Sequence, residues 1–321
     1  MENYWRFVNM IWFLCSFALV AILATSAFCY RIVFHSPNIA LKDPYAVPPG
    51  EQYEKVAQQM LQMIDCVMEI PYQQVSIQGW DGTLLAARYY HFYDNAPVQI
   101  FFHGYRSNAI REFACGYPLA KKLGYNALVV DQRAHGNSGG HTITFGIKER
   151  YDCRDWCEYA AKRFGEGTKL ILTGVSMGAA TVLMASDLKL PENVAAIIAD
   201  CAFATPGKII CKVMQDVKLP YRIAYPFVVF GALLFGRFRV WASSAVRCVK
   251  KTTIPILLIH GEDDRFVPCD MSRSIYDACG GNKKLVIFPE AGHGLSYLTD
   301  PTRYEMTVKK FLAECRISLR Q

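Results

Sequence analysis

A serine enclosed by glycines, Gly174-Val175-Ser176-Met177-Gly178, stands between a short apolar run, Lys169-Leu-Ile-Leu-Thr173, and the good helix formers of Ala180 to Leu188. Between a strand and a helix, G-x-S-x-G forces a turn whose flanks tolerate only small residues and lifts the serine hydroxyl into a cleft. The helix that begins there brings its positive dipole end close to any oxyanion that develops. Ser176 is therefore the expected nucleophile. A serine hydroxyl attacks poorly until a base takes its proton, and that base needs an acid to orient it. His293, within Ala291-Gly292-His293-Gly294, has glycines on both sides that let it turn inward, and is the expected base. For the acid, His260-Gly261-Glu262-Asp263-Asp264 offers three carboxylates for one role.

The other histidines read as structural. His103 and His260 stand beside glycines at strand ends, where they satisfy local backbone groups, and His135 braces its own loop. His35, His91 and His141 belong to the surface or to packing. The twelve cysteines include no C-x-x-C pair, and Cys153 and Cys157 are four apart without a neighbouring histidine pair, so packed, reduced thiols are expected rather than a metal site. There is no Gly-rich phosphate loop either, and neither a metal nor a cofactor is expected.

Elements that could position these residues are visible as short apolar runs. Val75 to Gln78 and Leu84 to Phe92, joined through Asp81-Gly82, suggest a hairpin with a two-residue turn. Runs at 97–102, 126–130, 169–173, 194–199, 254–259 and 284–288 are separated by helical patterns. Strands buried on both faces with helical crossovers mean a mostly parallel sheet covered on each side, an α/β fold. Ligands of such sheets bind beyond the carboxyl ends of the strands, where Ser176, the acids and His293 fall.

With these residues in place, the chain from about Val75 to Leu312, roughly three quarters of it, resembles the α/β-hydrolase fold. It is most similar to bacterial, often membrane-anchored esterase-like hydrolases that share a signature with serine aminopeptidases. His103-Gly104-Tyr105 resembles their oxyanion segment. Asp131-Gln-Arg-Ala134-His-Gly-Asn-Ser138 resembles their D-x-R-G-H-G-x-S loop, with Ala134 where the family usually has Gly, and His260-Gly261 to Val267-Pro268 resembles H-G-x-x-D-x-x-V-P. The resemblance implies Asp264 as the acid, with Asp263 the fallback, and the backbone N–H groups of Tyr105 and Met177 as the oxyanion hole.

Two apolar stretches lie outside this pattern. From Phe7 to Tyr30 no residue is charged, and 24 residues at about 1.5 Å each give about 36 Å, enough to cross a hydrocarbon core of about 30 Å. A single N-terminal membrane anchor over residues 1–35 is expected, the rival being a signal peptide with Ala24-Thr25-Ser26-Ala27 as processing site. Arg6 at one end and Arg31 and Lys42 at the other leave the orientation undecided. Residues 36–74, with Pro37, Pro44, Pro48, Pro49 and Gly50, read as a linker and lead-in helix to a hydrolase domain at 75–321. About 203–250 is a cap insertion, longer than one crossover helix needs. Within it Ile223 to Gly236 carries no charge, and is read either as a helix packed on the core or as a lid; in the second case Phe227 and Phe230 line an acyl pocket or touch the membrane.

The net charge of +7 is scattered, with no arginine-rich helix, so nucleic acid is not an expected partner. No obligate protein partner is evident. The expected activity is cleavage of acyl or lipid-like carboxylic esters through an acyl-enzyme. A serine peptidase of the same fold is the alternative, and a non-enzymatic membrane-tethered binding protein a more distant one.

Overall fold

The structure, a computed structural model, describes residues 1–36 and 43–317. Pro37 and Lys42, assigned above to the linker and the anchor flank, lie outside the described residues. In chain order the elements are helix α1 (Glu2–Val33), the one-turn α2 (Glu51–Glu54), α3 (Ala57–Met68), strands β1 (Gln73–Gln78), β2 (Leu84–Tyr90) and β3 (Val98–Phe102), α4 (Ala109–Leu123), β4 (Asn126–Asp131), α5 (Glu149–Phe164), β5 (Leu170–Val175), α6 (Met177–Ala185) and β6 (Val194–Asp200). The insertion helices α7 (Pro206–Asp216), α8 (Tyr221–Leu234) and α9 (Ala245–Cys248) follow, then β7 (Ile256–Gly261), α10 (Asp270–Ala278), β8 (Lys283–Phe288), α11 (Ser296–Thr299) and α12 (Pro301–Glu314).

All eight strands join one sheet in the order β1-β2-β4-β3-β5-β6-β7-β8. β1 and β2 pair antiparallel, as do β2 and β4, and every later pairing is parallel. This is the α/β-hydrolase fold. Strands that alternate sides supply both core layers. Val98, Ile100, Leu128, Leu172, Ile197 and Leu258 pack with Trp156 of α5, Val182 of α6 and Ile275 of α10. Ile171, Ile198, Leu257 and Ile259 face the other way, toward α11 and α12, and Phe101 and Val129 meet Phe113 of α4 and Ile64 of α3.

Local chemistry sets the helix ends. The Asn108 side chain accepts from the amides of Ile110 and Arg111 to start α4, and left-handed Gly124 stops it. Pro301 opens α12 behind Asp300, whose carboxylate accepts from Arg303 N–H. The first hairpin differs from expectation. Gly82 has φ +80 as an Asp-Gly turn requires, but Gly79 N–H bonds Thr83 C=O and the strands stop at Gln78 and Leu84. The connection is a longer loop, because Gly79 and Thr83 close the ladder with a bond of their own.

Candidate active site

Ser176 stands at the carboxyl end of β5 and caps α6 with φ 54° and ψ −114°, a strained conformation that projects its side chain out of the chain path. Two glycines make room for it. A Cβ on Gly174 would lie 2.3 Å from the carbonyl carbon of Gly178, and one on Gly178 would lie 2.0 Å from the carbonyl oxygen of Phe102. The strand-to-helix turn therefore exists only with hydrogen at both positions.

His293 reaches Ser176 from the loop after β8. Its Nδ1–H donates to Asp264 Oδ2 at 2.7 Å, and its Nε2 stands 3.0 Å from Ser176 Oγ. The carboxylate fixes the tautomer, since it can only accept there and leaves Nε2 free to accept from the serine hydroxyl. Asp264 is itself held tightly: its Oδ1 accepts from the amides of Phe266 and Val267 at 2.9 and 2.8 Å. Burial would raise its pKa, but hydrogen bonds from His260 and His293 outweigh burial and hold it at about 2. The structure thus brings Ser176, Asp264 and His293 together. Glu262 and Asp263, the competing acids, point into solvent; Asp263 N–H bonds Ala291 C=O, which turns that residue away from the imidazole.

One contribution was not legible in the sequence. His260 does more than satisfy local backbone. Its Nδ1 accepts from Ser272 Oγ at 2.7 Å, while its Nε2–H lies 2.8 Å from Val267 C=O and 3.2 Å from Asp264 Oδ2. Both histidines thus face one carboxylate oxygen. The available signal was the four-residue spacing of His260 and Asp264 across a tight loop.

The expected oxyanion donors flank the serine. Met177 opens α6, and Tyr105 follows Gly104, where a Cβ would lie 3.4 Å from that of Ser176. Two side chains brace this segment: Glu112 accepts from Gly104 N–H at 2.7 Å, and His135 Nε2 accepts from Arg106 N–H at 3.0 Å. His135 donates through Nδ1 to Arg133 C=O, and burial lowers its pKa to about 4, so it stays neutral in that role. His103 links Gly104 C=O to the amide of Gln132, as a strand-end structural histidine should.

The opposite side of the cleft comes from the N-terminal segment. The Tyr105 hydroxyl donates to Val33 C=O at 2.7 Å, and Arg106 Nη2 donates to the carbonyls of Ile32 and His35 at 2.7 and 2.8 Å. Farther along, Tyr53 Oη donates to His293 C=O at 2.9 Å, and His293 N–H donates to Gln52 Oε1 at 3.2 Å. Burial pushes the Tyr53 phenol up, so it stays a protonated donor. Gly292 lets Gln52 approach closely, since a Cβ on it would sit 2.0 Å from Gln52 Oε1 and displace that side chain. The described part of the stretch read as a linker is thus a strap across the cleft.

Ser176 opens into a cavity of about 650 Å³, the size of a small-molecule site. Its walls include Val47, Pro48 and Tyr53 of the strap, Phe101, Leu119, Leu298 and Val308 from the core side, and the polar Gln99, Glu112 and Asp200. Among the described residues that line it, neither Phe227 nor Phe230 is present. This corrects the expectation that they form the acyl pocket. The apolar α8 packs instead beside α1, with Val228, Gly231 and Ala232 buried, and Phe230 is exposed. Among the described residues one group has metal-ligand proximity, Cys201, Asp264 and His293, with ligand atoms within 4.8 Å. Two of these three are already bonded to each other.

A fold of this topology, with a serine turn at the end of its fifth strand, defines an α/β hydrolase. The model of the alpha/beta hydrolase family matches residues 99–305, and the chain belongs to that family. It is 29% identical over 221 residues to the uncharacterized protein YqkD of Bacillus subtilis, covering 68% of this chain and 72% of that one. It is 26% identical to protein bem46 of Schizosaccharomyces pombe, over 69% of each chain. Among solved structures, the Pyrococcus furiosus esterase Pf2001 superimposes with a TM-score of 0.62 at 24% identity, covering 78% of this chain and 93% of that one.

Proposed function

We propose that the protein is a membrane-anchored serine hydrolase of carboxylic esters. The observation that carries this reading is the unbroken relay from Asp264 Oδ2 through the imidazole of His293 to Ser176 Oγ, at 2.7 and 3.0 Å, opening into the cavity. In it Ser176 Oγ attacks the ester carbonyl as His293 Nε2 takes its proton. The carbonyl oxygen becomes an oxyanion facing the amides of Tyr105 and Met177. His293 then returns the proton to the leaving alkoxide, and an acyl-serine is left for water to hydrolyse by the same route. Asp264, held ionised by His260 and by two backbone amides, stabilises the imidazolium at each transfer. One oxyanion donor is worth roughly 3 to 4 kcal/mol of barrier.

In this reading residues 1–35 anchor the chain, the apolar helix α1 crossing the bilayer. Residues 36–74 carry the strap and lead-in helices, and 75–321 form the hydrolase body with its insertion at about 203–250. The mainly apolar walls around Ser176, with Val47, Pro48, Phe101, Leu119, Leu298 and Val308, support an acyl or lipid-like ester; the charged Arg106, Arg111, Glu112 and Asp200 on the same cavity are the groups a peptide terminus would need.

The test uses the full chain in detergent, with and without Ser176→Ala, on aryl esters of two to sixteen carbons and on aminoacyl amides. Serine-dependent ester turnover with a chain-length optimum is the expected result. Turnover of amides alone would transfer the site to a peptidase, and silence on both would remove the hydrolase reading.

A further inference from the structure

Helix α8 is apolar on two sides. One side is buried through Val228, Gly231 and Ala232. The other is open: Ile223, Phe230, Leu233 and Leu234 are exposed, and Phe235 and Trp241 continue them beyond the helix. Exposed apolar surface on this scale marks an interaction site, and the path of α1 indicates what covers it. A Cβ on Gly231 would lie 2.4 Å from Ser26 C=O and 3.1 Å from Tyr30 Cβ, so the two helices cross backbone to backbone at small residues, as helices pack within lipid. Ser26 lies four residues, or about 6 Å along the axis, before Tyr30 at the end of the uncharged stretch. A bilayer whose hydrocarbon extends to Tyr30 therefore reaches past the crossing and covers the outer side of α8. The charges agree. Lys218 and Arg222 precede the apolar stretch, Arg237 and Arg239 follow it, and all four are exposed, in place to meet lipid phosphates.

We propose that α8 is a second membrane element, lying in the interface of the leaflet beside the C-terminal end of α1. The proposal rests on α1 as the membrane span. It also names the substrate class of the site. Tyr105 and Arg106 line the cavity and bond the carbonyls of Ile32, Val33 and His35, only about 3 to 8 Å of chain rise beyond Tyr30. The mouth thus opens at headgroup depth, and the substrate is an acyl ester resident in that leaflet rather than a dissolved one.

The test reconstitutes the full chain in phosphatidylcholine–phosphatidylglycerol vesicles containing a diacyl lipid with a diazirine in its acyl chain. After photolysis, lipid adducts are mapped by peptide mass. Adducts within 219–241 as well as within 7–30 are expected; adducts confined to 7–30 would overturn the proposal. Phe230→Glu combined with Leu234→Glu changes only exposed positions. It should cut the 219–241 adducts and the turnover of a vesicle-borne acyl ester about tenfold each, and leave turnover of a dissolved aryl acetate unchanged. Equal loss on both esters would overturn the substrate assignment. A wild-type chain that hydrolyses neither ester would overturn the hydrolase reading, while the adduct map would still decide α8.

Discussion

The two walls of the cleft hold their side chains by different means. The sheet-side wall works through strained backbone over short loops: Ser176 at φ 54°, Arg106 at 49°, Cys201 at 49° and Ala134 at 63° all sit in the left-handed region near the strand ends. Each such residue costs about 1 to 3 kcal/mol and persists only where its surroundings over-determine it. The N-terminal wall is unstrained at its contact points and held by side-chain hydrogen bonds across great sequence distance, Tyr53 to His293 spanning 240 residues. Strain fixes Ser176 to within a narrow geometry, whereas His293 is held by Asp264 and by the strap. Long-range bonds close the cleft over Ser176 and make the last turn of α1 part of the site.

The largest effect should come from the pair at which the two walls meet. Ser176→Ala or His293→Ala is expected to lower ester turnover by about four to six orders of magnitude, and the double variant no further. Losses that multiply in the double variant would mean that the two residues do not act as one unit.

Next is Asp200, at the end of β6 on the cavity between the walls. Burial draws its carboxyl up to about 6 from an ordinary 3.8, so the folded chain holds this proton more tightly than the unfolded one. Stability is therefore lost as pH rises from about 4 to about 6. Asp200→Asn should stabilise the protein by about 3 kcal/mol at pH 7.5 and by almost nothing at pH 4. Urea midpoints at the two pH values check this, and an equal shift at both would show that the carboxylate is not penalised.

The N-terminal wall should respond more gently. Tyr53→Phe removes one hydrogen bond, worth about 1 kcal/mol, and should lower kcat about fivefold with little change in KM, because the His293 loop loosens. A change in KM alone would reduce the strap to a lid. The smallest effect is Ala134→Gly. It relieves a left-handed alanine and should stabilise by about 0.5 to 1 kcal/mol in thermal unfolding, whereas destabilisation would mean that its methyl packing outweighs the strain.

The same division decides what a sequence reader can find. Ser176 is legible because close backbone approach demands glycine at fixed offsets, Gly174 and Gly178, and the parallel strands are legible as runs buried on both faces. The role of His260 was hidden, because its partner is chosen by the folding of the loop rather than by residue type. Gln52 and Tyr53 were hidden more deeply: a proline-rich stretch behind an apolar helix has the composition of a tether, and only the fold lays it over the cleft. Phe227 and Phe230 were misplaced for a related reason. Apolar composition does not say which side of α8 is covered: Val228 and Ala232 pack in one core cluster with Phe34, Met177 and Ile209, as the first of the two readings has it, and no short-range pattern links Gly231 to Ser26 of α1.

Ester hydrolysis at this site requires Ser176 to form a covalent acyl intermediate. The most direct measurement is the mass of the full chain, rapidly quenched after mixing with an activated aryl ester, followed by peptide mapping. The prediction is a single acyl adduct on Ser176, formed in a burst equal to the enzyme present, lost on further incubation, and missing from Ser176→Ala. Hydrolysis without that adduct, or an adduct on another residue, would contradict it.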